Sequence, residues 1–186
     1  MRLAFALVAL LSAGTAGAQW DQAISDRDLL DPWIQATAML RALPPESVPA
    51  GATREILASL EQDLSGLRAD LENTAISIVG RPEFGYDATE RSLELARQVG
   101  KVEQGMDALF AALGVSERPD AKAVRDSIAS LQKILAGGSR FERDVLNALG
   151  SGSKNAIQAL AARWWTAGDR VNDVAEAIRT LGANPQ

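Results

Sequence analysis

Four long stretches of this chain place apolar residues alternately three and four positions apart. That spacing constrains the fold more than any other feature. A helical side chain returns to the same face every 3.6 residues, so the alternation draws one apolar seam along a helix packed at a shallow angle on its neighbours. The first stretch, Thr53–Val79, has the seam Leu57, Leu60, Leu64, Leu67, Leu71, Thr74, Ile78. The second, Ala88–Leu113, has Leu95, Val99, Val102, Met106, Leu109, Leu113. The third, Ala121–Leu135, has Val124, Ile128, Leu131, Leu135, and resumes after Gly137-Gly138 with Phe141, Val145 and Leu149. The fourth, Lys154–Leu181, has Ile157, Leu160, Trp164, Ala167, Val171, Val174, Ile178, Leu181.

The expected class is all-α. Arms of about 26 residues span roughly 39 Å at the helical rise, and short connections make consecutive arms antiparallel. The expected architecture is an up-down-up-down bundle of four long heptad-patterned arms, the third broken at Gly137-Gly138, with a short N-terminal helix laid across it.

Local signals place the ends of the arms. Gly80 followed by Arg81-Pro82 stops the first, because a residue before proline is pushed off helical dihedrals. Asp87 with Glu90 is a capping pattern for the second, and Gly114 suits its left-handed stop. Gly100 and Gly105 lie inside that arm, where they mark a close approach of a neighbouring helix or frame a space between helices. Pro119-Asp120 starts the third, Ser139 with Glu142 forms a capping box for its second half, Ser153 opens the fourth, and Gly182 with Pro185 ends it. Asp31-Pro32 reads as the start of the N-terminal helix, with Trp33, Ile34, Thr37 and Leu40 on one apolar face. Pro44, Pro45, Pro49 and Gly51 then form an extended linker.

The first eighteen residues read as an address. Arg2 precedes the apolar run Leu3–Leu11, and Ala16-Gly17-Ala18 is a small-residue cleavage pattern, as in a secretory signal. The run is too short to span a bilayer. Expected segments are 1–18 a cleaved signal peptide, 19–51 the N-terminal helix and Pro-rich linker, and 52–186 the helical bundle. The expected location is the periplasm or the medium. With 19 Lys+Arg against 24 Asp+Glu, loss of Arg2 takes the net charge from −5 to −6. That balance does not favour nucleic acid, which wants a basic footprint, or an anionic membrane surface.

The chain contains no His and no Cys. This removes His- or Cys-based zinc sites, thiolate catalysis, Ser-His-Asp relays, disulfides and c-type haem attachment. A bundle di-iron site in its usual Glu-x-x-His form is excluded too. No catalytic residue, metal ligand or cofactor is assigned. Ser151-Gly152-Ser153-Lys154 matches the serine–lysine motif S-x-x-K, yet its partner motifs S-D-N and K-T-G are missing, so the segment reads as a hinge with an N-cap. The carboxylates single out no facing pair of the kind glycoside hydrolysis needs.

Two features remain. The segment Gly80–Asp87 carries Arg81, Phe84 and Tyr86 on a Pro/Gly frame, read either as a partner-binding tip or as a plug for the bundle end. Trp165 follows the seam residue Trp164 and cannot share its direction, so it either packs on the N-terminal helix near Trp33 or lies exposed. Arg81, Phe84, Tyr86 and Trp165 are the candidate partner-binding residues. The expected function is an exported, non-catalytic interaction or accessory protein that binds another envelope or secreted protein, with self-association as an option. The alternatives are a small-ligand or lipid carrier with a cavity between helices, its glycines at 100, 105, 137 and 138, and last a carboxylate or Ser/Lys hydrolase.

Overall fold

The computed structural model describes residues 23–44, 51–81 and 83–183, and nothing in it bears on the expected leader at 1–18 or on most of the linker. The described residues form six α-helices and no strand. They are α1 Asp26–Arg41, α2 Ala52–Gly80, α3 Phe84–Ala112, α4 Pro119–Ala136, α5 Ser139–Gly150 and α6 Lys154–Ala183.

The seams fill the core. Leu60, Leu64, Leu67, Leu95, Val102, Met106, Leu109, Ile128, Leu135, Val171 and Val174 are fully enclosed, in one cluster that also takes in Leu29, Trp33 and Leu40 of α1. Each such leucine contributes about 1.5–3 kcal/mol through burial. Side-chain pairings show which way neighbours run. Arg91 of α3 reaches Thr74 of α2, while Gly105 of α3 abuts Leu60 of α2. Arg68 meets Asn172 and Glu61 meets Arg179, so α2 and α6 are also antiparallel.

The third arm departs from the expected layout. α4 packs on α3, whereas α5 packs on both α3 and α6. α1 inserts between α4 and α6 and packs on both. α1 thus bridges α4 and α6. α5 lies at the end holding the α2–α3 turn, where its Leu146 and Leu149 sit beside Gly85.

Several helix ends differ from expectation. α1 begins at Asp26, because Ser25 and Asp28 form a capping box one and a half turns ahead of Asp31-Pro32. Pro32 lies inside the helix and is buried, and Ile34 points outward. α3 begins at Phe84, so Asp87 and Glu90 stand on its surface and cap nothing. α5 has Gly138 as its N-cap residue at φ +68°, with no side-chain cap bond. Glu142 instead accepts a bond from Thr89 of α3 at 3.0 Å. α2, by contrast, stops at Gly80 as read, with Arg81 extended ahead of Pro82.

The Gly114 stop is as read. At φ +68° its N–H donates to the Ala111 carbonyl and the Val115 N–H to that of Phe110. These are the two bonds of a Schellman turn, which satisfies carbonyls the helix end would leave unpaired.

Gly100 and Gly105 are contact points. A β-carbon at Gly105 would lie 2.8 Å from Leu60 Cδ1, and one at Gly100 would lie 2.6 Å from Gln132 Nε2. The space at these positions is occupied by the neighbouring helix, so they frame no cavity.

Candidate functional site

The seam where α2 faces α6 changes character along its length. Over most of it the outer surface is laced with polar contacts. Arg68 donates from Nε to Glu72 and from Nη1 to Asn172, both at 2.7 Å. Asn172 Nδ2 donates to Glu176 at 3.1 Å, and Arg179 pairs with Glu61 at 2.8 Å. Gly168 faces Glu72, the Arg68 carbonyl and Leu71 here, at distances where a β-carbon would make ordinary contact.

Toward the α2–α3 turn this lacing ends. Ala75, Ile76, Val79, Gly80, Ala161, Ala162 and Trp165 line an open apolar groove of about 460 Å³. Ala75 and Ala161 are buried and make a low floor, while Ile76, Val79 and Trp165 stand exposed as walls. Helix geometry explains Trp165. Trp164 is drawn into the core by the seam, and the next residue points about 100° away. Trp164 lies edge-on to Phe141 with ring centroids 4.8 Å apart, and Phe141 is edge-on to Phe84 at 6.3 Å. This aromatic stack anchors α3, α5 and α6 to one another beneath the exposed surface.

A second, polar groove shares Ile76 and Gly80 with the first and runs between α2 and α3. Arg81, Asp87, Glu90, Arg91 and Glu94 supply its charges. Arg91 is committed inside the fold: Nη1 contacts Glu94 at 2.5 Å and Asp70 at 3.6 Å, and Nε donates to Thr74 at 2.9 Å. Burial pushes the Asp70 carboxyl above its ordinary range, while Arg91 pulls it down. No ion pair among the described residues neutralises the exposed Asp87 and Glu90.

The four residues singled out in the sequence fall into four environments. Phe84 is 4% exposed and plugs the bundle end. Tyr86 is 92% exposed on α3. Arg81 is exposed at the turn and lines the polar groove, and Trp165, 45% exposed, walls the apolar one. Trp165 does not pack on Trp33, which is buried in α1.

Ile76, Val79, Leu93 and Leu146 were not singled out. Ile76 and Val79 carried a signal: both are apolar and both sit off the seam that runs through Thr74 and Ile78. Seven large apolar side chains are exposed among the described residues, and all but Ile34 lie in this half of the bundle. Leu146 sits beside Gly85, which brings α5 to the same end.

The Ser151–Lys154 segment is a hinge. Ser151 Oγ donates to the Ala148 carbonyl at 2.7 Å and accepts from the Ser153 N–H at 3.1 Å, and Ser153 Oγ caps α6 through the Ala156 N–H. Gly152, at φ +62°, makes the turn.

One buried carboxylate lies away from this surface. Asp144 of α5 accepts from the Ile24 N–H at 3.1 Å. Arg163 of α6 lies 4.0 Å from it, pairs with Asp26 at 2.6 Å and donates to the Ile24 carbonyl. The pair staples the segment ahead of α1 to α5 and α6. Burial pushes the Asp144 carboxyl above its ordinary range, against the pull of the Ile24 N–H and of Arg163.

No family model, curated protein or solved structure matches the chain. Among the described residues, no helix is long and apolar enough to cross a membrane.

Proposed function

We propose that this protein is a non-catalytic contact protein that works after export and binds another protein of the envelope or medium through the turn end of its bundle. One observation carries the reading: six of the seven exposed large apolar side chains among the described residues lie in one half of the bundle, with Ile76, Val79 and Trp165 walling one groove, while the remainder of the α2–α6 seam is laced with polar pairs. Contiguous exposed apolar surface rimmed by polar groups is the usual mark of an interaction site. Trp, Tyr and Arg, the types that dominate binding hot spots, all occur there as Trp165, Tyr86 and Arg81. The absence of His and Cys and the local use of Ser151 and Ser153 leave the residues of this end better suited to contact than to reaction. Export rests on the leader-like sequence of residues 1–18.

Co-purification from envelope extracts of the native host tests this. The wild type should retain a specific partner, and Ile76→Asp with Val79→Asp should lose it while melting normally. Equal retention by a correctly folded double variant would overturn the proposal.

A further inference from the structure

The contact reading leaves the kind of partner open, and the two grooves narrow it. The apolar groove has a floor of small residues, Ala75 and Ala161, between taller walls, Ile76 and Val79 on α2 and Trp165 on α6. Two antiparallel helices with such a furrow accept a third helix, whose protruding apolar residues drop between the walls. The described chain offers the furrow about one and a half turns of α2, from Ala75 to Gly80, so two turns of a partner helix fill it.

Charge sets the border of that helix. Across the Ile76 ridge the polar groove carries three carboxylates, Asp87, Glu90 and Glu94, against two guanidinium groups, Arg81 and Arg91. Arg91 is already spent on Glu94 and Asp70. The surplus is negative, and so is the whole chain at −5. A second copy of this chain would bring the same surplus against itself, whereas a basic border would be drawn in and held.

Building on the contact reading above, we infer that the groove takes an amphipathic helix of a partner protein, with its apolar stripe between Ile76, Val79 and Trp165 and its Lys or Arg border over Asp87 and Glu90. Tyr86, on the far side of the acidic residues, is placed to cover the aliphatic stems of those basic side chains.

Two labelled synthetic helices test the inference, identical in their leucine stripe and bordered by lysine in one and glutamate in the other. Fluorescence anisotropy should show the lysine-bordered helix binding at least tenfold tighter. Ile76→Asp should reduce that binding about tenfold or more. Asp87→Asn with Glu90→Gln should reduce it severalfold, and added salt should act the same way. Equal binding of both helices, binding that survives Ile76→Asp in a folded variant, or no binding of either would overturn it. A wild-type protein that sediments as a dimer, and as a monomer once Ile76→Asp is made, would also overturn it in favour of a second copy. If neither helix binds while the envelope co-purification remains sensitive to Ile76→Asp and Val79→Asp, the helix inference falls and the contact reading stands. If that sensitivity is missing as well, both fall.

Discussion

Trp164 and Trp165 are neighbours in the chain and opposites in environment. Trp164 is 1% exposed and edge-on to Phe141, while Trp165 is 45% exposed on the wall of an apolar groove. Trp164→Ala should therefore cost about 3–5 kcal/mol, as large-to-small changes in a packed core do. Trp165→Ala should stay within about 1 kcal/mol and instead weaken contact. Thermal unfolding followed by circular dichroism distinguishes the two. Equal losses would mean that the outward tryptophan is part of the core.

Leu67 sits at the centre of the α2 seam with no exposed surface. Leu67→Asp buries an unpaired carboxylate among leucines, and several kcal/mol of destabilisation should follow. The variant should be unfolded or melt far below the wild type. An unchanged melting temperature would contradict the seam.

Two glycines in helix interiors should respond oppositely to alanine. Gly66 of α2 is exposed and has open space where a β-carbon would go, so Gly66→Ala should stabilise by about 0.8–1 kcal/mol and raise the melting temperature by about 2–4 °C. Gly105 of α3 would press its new carbon to 2.8 Å from Leu60, so Gly105→Ala should lose that gain and lower the melting temperature. A rise in both would show that α2 and α3 are less closely packed at Gly105.

Asp144 predicts a pH dependence. Its folded value lies above the ordinary carboxyl value, chiefly through burial, so the folded state holds this proton more tightly than the unfolded chain. Its contribution to stability is fully present below the unfolded value and is lost as pH rises through the raised folded value. Relative to Asp144→Asn, the wild type should therefore gain stability as pH falls from neutral into the carboxylate range. Urea midpoints across that range give the difference directly, and a difference that is flat or moves the other way would contradict the raised carboxyl value. Asp144→Ala should cost about 1–3 kcal/mol at any pH in the range, because the Ile24 N–H loses its partner.

The core was legible because burial in a helix leaves a period, and the fully enclosed side chains are largely those of the written seams. The ends of helices were less so. Asp87-x-x-Glu90 and Ser139-x-x-Glu142 have the composition of caps, but packing of Phe84 against Phe141 draws Asp87 into α3, and Glu142 finds Thr89 across the bundle. Capping motifs are local, and a contact more distant in sequence outweighed them. The place of α1 could not be read either, since a short amphipathic helix says which face is buried but not between which neighbours.

The candidate surface was half legible. Tyr86, Arg81 and Trp165 drew notice by residue type, and Phe84 proved to be the plug that the alternative reading of that segment described. Ile76 and Val79 were visible only as apolar residues off a seam. Their meaning required knowing that α6 brings Trp165 beside them and that, among the described residues, no polar pair covers that stretch.

On the proposed reading, this end of the bundle is where the protein meets its partner. The most direct test places a photo-cross-linking amino acid at Val79, and in a second variant at Ser65 on the laced part of the same helix, then irradiates living cells of the native host. Position 79 should yield one reproducible adduct and position 65 none. No adduct at 79, or equal adducts at both, would contradict it.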